Sequence, residues 1–256
     1  MLAEHVYELR TRGFTRIEGA LSPERVARLR DTVDRLLEED DATWGRERLL
    51  EMGQRGALRN LCDVDPVFEE LLADSPIYQV IDQILPDYIL NSYDALVLFP
   101  GDGRFPWDFH TDVMPFVGSA LPPSRNIGVN CLYYLTDVEQ RNGATWIVPA
   151  SHRSVLPQPD PVVLGEIAIP AAGAAGDALL FDSRLWHCSG TNGTQARRAV
   201  IKALFCPPWF RPQMDYSRSV RDEVMGRLDD RTRALLNRDR RPPVTVEELR
   251  AALAAG

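Results

Sequence analysis

The apolar pattern of this 256-residue chain changes period near residue 88, and that change narrows the folds open to it. Before it, hydrophobic residues recur at intervals of three and four. Ser22-Pro23 supplies an N-cap and a proline at the first helical position, and Val26, Leu29, Val33, Leu36 and Leu37 then share one face. Asp65-Pro66 opens a second helix carrying Val67, Phe68, Leu71 and Leu72. Ser75-Pro76 opens a third, with Ile77, Val80, Ile81, Ile84 and Leu85. After the change, short β-rich runs stand at 89–99, 127–135, 144–148, 162–169, 178–182 and 198–205. Turn clusters separate them: Pro100-Gly101-Asp102-Gly103, Pro122-Pro123-Ser124, Arg141-Asn142-Gly143 and Ala175-Gly176-Asp177. Many short strands so punctuated predict a sandwich, barrel or jelly roll behind a helical lead.

Residues 207–215 read as a proline-rich connector. Beyond 216, Arg and Asp/Glu are dense around Val220, Val224 and Leu228, which predicts a solvated helix packed on the barrel by a thin stripe; a partner-binding helix is the alternative. The expected organisation is a single domain over 1–256, with a helical lead at 1–87, a β core at 88–206 and a connector and helical tail at 207–256. No window approaches the roughly 20 apolar residues of a membrane span. Glu4, His5, Glu8 and Arg10 interrupt any signal-peptide core, so the expected location is cytoplasmic. A net charge of −8 argues against nucleic acid or an anionic membrane as partner, and leaves room for a small local basic pocket and a small-molecule substrate. Cys62, Cys131, Cys188 and Cys206 are scattered, as suits small core residues in a reducing compartment.

The stretch richest in chemistry is Trp107-Asp108-Phe109-His110-Thr111-Asp112. Pro106 and Pro115 bracket it and disfavour a regular helix. In an extended segment side chains at i and i+2 share a side, so His110 and Asp112 converge; on a helix they diverge. A third ligand must come from the remaining histidines, of which the chain has three. His5 lies in the helical lead and is expected in solvent, and His152 in a turn after a strand. His187 follows the apolar run Ala178-Leu179-Leu180-Phe181. Two imidazoles and one carboxylate leave three coordination positions open, the arrangement of iron(II) oxygenases. That spacing alone recurs by chance. Weight comes from Arg198, next to Arg197 at the start of a β run, where one guanidinium can hold a dicarboxylate and the other face solvent.

Five segments in order give the chain a family likeness. They are Arg12-Gly13-Phe14 through Leu21-Ser22-Pro23-Glu24; His110-Thr111-Asp112; Asn142 through His152; Gly176-Asp177 through Asp182; and His187-Cys188-Ser189-Gly190-Thr191-Asn192 with Arg198 following. Together, from the N-terminus to about residue 206, they resemble the phytanoyl-CoA dioxygenase-like family of 2-oxoglutarate oxygenases, with Ala150 standing where that family usually has glycine. The resemblance implies an α+β fold, mainly β, whose core is a double-stranded β-helix, a jelly-roll variant, with helices outside. It implies iron(II) on His110, Asp112 and His187, 2-oxoglutarate anchored by Arg198, and O2 as oxidant, with succinate and CO2 released. Ser189 matches a position that often touches 2-oxoglutarate. Asn130, polar on an apolar run, needs a partner, either the co-substrate or backbone. Related halogenases carry a small residue at the position of Asp112, so halogenation is not expected. Hydroxylation is the default outcome; desaturation, cyclisation and epoxidation need no other ligands.

Asp177, Asn142 and His152 read as structural residues, and Arg104, Trp107 and Phe109 as packing residues near the site. Two other function classes use the same residues: a zinc hydrolase, which leaves Arg198 without a task, and a non-catalytic jelly-roll binding module.

Overall fold

The computed structural model describes residues 2–112, 126–154, 160–237 and 244–255. Pro115 and the Pro122-Pro123-Ser124 turn lie outside them. The lead contains α1 (Leu2–Thr11), β1 (Phe14–Ile17), α2 (Pro23–Trp44), α3 (Arg46–Glu51), β2 (Ala57–Leu58), α4 (Pro66–Ala73) and α5 (Tyr78–Ile84). The Ser22 and Asp65 side chains cap α2 and α4 by accepting from the backbone N–H of Arg25 and Val67, at 3.3 and 3.1 Å. The third start is displaced. Helix α5 begins at Tyr78, because the Ser75 hydroxyl is drawn to the Tyr133 hydroxyl and only grazes the Ile77 N–H at 3.4 Å.

The core follows as β3 (Ile89–Leu98), β4 (Val129–Tyr134), β5 (Thr145–Ile147), β6 (Ile169–Pro170), β7 (Ala178–Asp182), β8 (His187–Ser189) and β9 (Arg198–Cys206). Among the described residues these pair antiparallel in a six-stranded sheet, ordered β1-β7-β4-β9-β3-β2, and a three-stranded sheet, ordered β6-β5-β8. Period-two alternation divides the work of the larger sheet. Tyr93, Ala95, Ala199, Ile201, Ala203 and Phe205 join the lead helices in one apolar cluster, while Leu96, Leu98, Arg198, Val200 and Lys202 line a cavity shared with the smaller sheet. All four cysteines are buried.

Two further expectations need correction. The run 162–169 is not a strand: Pro161–Ile167 is a helix, α6, and strand resumes only at β6. Asp160 caps it through the Val162 N–H at 2.8 Å with Pro161 in the first turn, and that start signal outweighs the β preference of Val162, Val163 and Ile167. The tail, too, is not one helix on the barrel. Short helices at Tyr216–Ser219, Asp222–Met225 and Asp230–Leu235 bury Val220, Val224 and Leu228, and the last of them touches both α4 and β3. Arg221, Arg227 and Arg231 pair there with Asp63, Glu69 and Asp82 of the lead. Acidic residues of the lead thus gave the tail a platform that its own sequence does not reveal. Among the described residues no helix is long and apolar enough to cross a membrane.

Candidate metal centre

His110 and His187 meet as an isolated antiparallel bridge, each backbone N–H donating to the other's carbonyl at 2.9 and 3.0 Å. His187 is also the first residue of β8, in register with Ile147 of β5. Of the extended segment expected through Asp112, His110 is the residue paired as strand. The chain bends at Asp112, whose N–H is held by the Ser183 carbonyl at 2.9 Å. Both arms of the H-x-D are therefore pinned to the segment joining β7 to β8, and the convergence survives the bend.

One donor atom from each of His110, Asp112 and His187 lies within 4.8 Å of the others, and His187 Nε2 is 3.6 Å from Asp112 Oδ2. The tautomers follow from the partners. His110 Nδ1 faces the Asp108 carbonyl and His187 Nδ1 the Leu185 carbonyl, both at 2.8 Å. A carbonyl only accepts, so Nδ1 carries the proton in each ring and Nε2 offers its lone pair to the shared space. Burial pushes the His187 imidazole down to about 4, keeping it neutral near pH 7. Burial alone would raise the Asp112 carboxyl, but His187, Lys202, His110 and the Asn130 amide outweigh it and hold the group below its usual range. Two imidazole nitrogens beside an ionised carboxylate fit a divalent first-row metal.

The cavity in front of the triad measures about 240 Å³, and its described lining includes Arg55, Phe181, Ser189, Arg198, Val200 and Lys202. Arg198 is 3% exposed. Its Nη2 donates to the Gly143 carbonyl at 2.8 Å, its Nε has no partner, and among the described residues no carboxylate pairs with it. Gly143 sits at φ +93°, the left-handed turn that presents this carbonyl. Burial lowers the guanidinium to about 10, so it remains a cation. Arg197 points the other way and pairs with Asp34 at 3.1 Å on the surface. Ser189 lies on the cavity wall. Asn130 is fully buried and its partner is one neither expectation named: its amide donates to Asp112 Oδ2 at 2.5 Å.

Other candidates fall elsewhere. His152 is buried outside the triad, donating from Nε2 to the Arg10 carbonyl at 3.3 Å, and burial lowers it to about 4. His5, expected in solvent, is half-buried against the Thr15 hydroxyl at 2.9 Å. Phe109 packs with Val148, Leu164 and Trp186 behind the smaller sheet, and Arg104 and Trp107 are exposed. Asp177 and Asn142 accept from turn backbone N–H groups.

Two cavity residues escaped sequence reasoning. Lys202 follows Arg198 by four residues, so strand alternation puts both on one face and could have flagged it. Arg55 precedes β2 in a loop with no local signal. The pairing of Ala57 with Leu96 brings it in, where its guanidinium lies 3.7 Å from the centre of the Phe99 ring and its Nε has no partner.

Residues 9–200 match the family described as phytanoyl-CoA dioxygenase (PhyH). The protein Rv1501 of Mycobacterium tuberculosis is 32% identical over 230 residues, spanning 88% of this chain and 82% of its own. The dioxygenase af480 of Aspergillus fumigatus is 26% identical over 239 residues, spanning 89% of this chain and 74% of its own. Among solved structures, HygX from Streptomyces hygroscopicus, with nickel and 2-oxoglutarate bound, aligns with a TM-score of 0.66 at 19% identity over 82% of this chain and 89% of that one. At that identity the likeness speaks for the fold, a double-stranded β-helix.

Proposed function

This chain belongs to the phytanoyl-CoA dioxygenase family of iron(II)- and 2-oxoglutarate-dependent dioxygenases, and from that premise we propose that it oxidises a small-molecule metabolite at an iron(II) ion held by His110, Asp112 and His187. One observation carries the reading. A donor set suited to a divalent metal shares a cavity with Arg198, a buried cation lacking a carboxylate partner among the described residues. A buried guanidinium is costly unless an anion meets it, and a dicarboxylate reaching from the triad to Arg198 satisfies both ends of the cavity. A zinc hydrolase would have no use for that charge.

When bound, the iron and 2-oxoglutarate supply the redox chemistry with O2, 2-oxoglutarate leaving as succinate and CO2. The chain's own residues supply position. His110 and His187 present Nε2 with their rings fixed by backbone carbonyls, and Asp112 adds the negative charge that a cation needs. Arg198 would orient the distal carboxylate, Arg55 adds another cation to the cavity lining, and the Ser189 hydroxyl would contact the co-substrate. Asn130 acts on the site through Asp112. Leu132, Phe181 and Val200 keep water from the inner end of the cavity. The outcome is hydroxylation or another oxidation of that metabolite, with natural-product biosynthesis as the proposed setting and the cytoplasm as the proposed location. Residues 1–256 act as a single oxygenase domain, supported by an apolar cluster that draws on lead, core and tail alike.

Anaerobic addition of iron(II) and 2-oxoglutarate should give a weak metal-to-ligand charge-transfer band in the visible, absent from His187→Ala. A variant that keeps both the band and turnover would overturn the assignment. The substrate is then sought by metabolite-stimulated succinate formation, beginning with natural-product intermediates.

A further inference from the structure

Resting on that reading of the triad, we propose that Lys202 is a positioning residue that tunes the metal centre by charge: it weakens the site for a lone dication and strengthens it for the dianionic co-substrate. Lys202 and Arg198 leave the same face of β9, about 13 Å apart along the strand, so one cation stands at each end of the cavity. The Lys202 ammonium lies 3.7 Å from Asp112 Oδ1, an electrostatic pairing longer than a hydrogen bond. Its side chain is 15% exposed, so salt screens it poorly. Its neighbour in register, Asp94, is engaged by Arg59 at 3.0 Å and feels Lys202 at longer range, so among the described residues Asp112 is the carboxylate within 4 Å of the ammonium.

Two features separate charge from mere scaffolding. Asn130 holds the other oxygen of Asp112 at 2.5 Å, so the carboxylate keeps its orientation when Lys202 is neutralised. And the described lining carries the cations Arg55, Arg198 and Lys202 against a single carboxylate, Asp112. Such a cavity repels a dication arriving alone and attracts a dianion. Losing the ammonium therefore moves two affinities in opposite directions, whereas a damaged scaffold weakens both.

The test is anaerobic titration of Co(II), read by its visible d–d absorption, and of 2-oxoglutarate into the cobalt-loaded protein, read by calorimetry. Lys202→Met and Lys202→Gln should each lower the Kd for Co(II) about tenfold and raise the Kd for 2-oxoglutarate about tenfold. Lys202→Arg should restore both to wild type. Equal weakening of both ligands, or no change in either, overturns the proposal. The triad is judged separately by His187→Ala: wild-type cobalt spectra and affinity there sink the metal assignment itself, whatever Lys202 does.

Discussion

On one face of β9, Ala199, Ile201, Ala203 and Phe205 close against the lead helices; on the other, Arg198 and Lys202 enter a cavity with a lone carboxylate in its described lining. The first face is finished on its own. Phe205 sets its ring edge-on to Tyr78 and Tyr88, with centroids 6.0 and 5.6 Å away, and the four residues that β9 presents here are all apolar. The second is unfinished, with Arg198 Nε and Asn130 Oδ1 buried and unpartnered. Adjacent residues of one strand thus differ in kind. Odd positions from 199 to 205 hold the protein together, and two even positions, 198 and 202, hold charge in readiness for ligands, at some cost to stability.

The largest effect should fall on the finished face. Phe205→Ala should destabilise by about 3–5 kcal/mol, through lost burial and the cavity left behind. Urea unfolding measures this, and a loss below about 1 kcal/mol would mean the helices do not depend on this face. Next comes Arg198→Leu. Losing a charge-assisted pair of about 2–5 kcal/mol should raise the apparent KM for 2-oxoglutarate by roughly 30-fold to several thousandfold. The ligand-free protein should melt no lower than wild type, because a buried unpaired cation has been replaced by an apolar side chain. A fall in both properties would make Arg198 structural and erase the contrast between the faces.

A smaller effect calibrates strain away from β9. Ala150 sits at φ 62°, a left-handed conformation that disfavours an L-residue, at the position where the family usually carries glycine. Ala150→Gly should stabilise by about 0.5–1 kcal/mol after the unfolded-state entropy of glycine is offset, read as a higher midpoint in urea. Smallest of all is Arg197→Ala. The Arg197–Asp34 pair is 43% and 41% exposed, so its loss should change stability by less than about 1 kcal/mol. The KM for 2-oxoglutarate should stay at the wild-type value; a rise would reassign the anchor to Arg197.

Much of this was legible because it is local. Helix starts at Ser22-Pro23 and Asp65-Pro66 are read from two residues, and the i, i+2 spacing of His110 and Asp112 depends only on the backbone between them. With four histidines in the chain, the third metal donor was nearly a choice by elimination. Where local signals compete, the reading failed: Asp160-Pro161 and a β-branched run point to different structures over the same residues, and the cap won. The paired hydroxyls of Ser75 and Tyr133 shifted a helix start for a non-local reason.

The sequence by itself therefore determined the periods, the donor types and the charge on β9. Tertiary structure decided which distant segments share a cavity: the bridge between His110 and His187, the entry of Arg55 beside Leu96, the Asn130 amide on Asp112, and the closure of Lys202 on the same carboxylate. The division has a physical cause. Periodicity is fixed by backbone geometry over a few residues, whereas the partner of a buried polar group is fixed by strand pairing between segments far apart in the chain, which no short window contains.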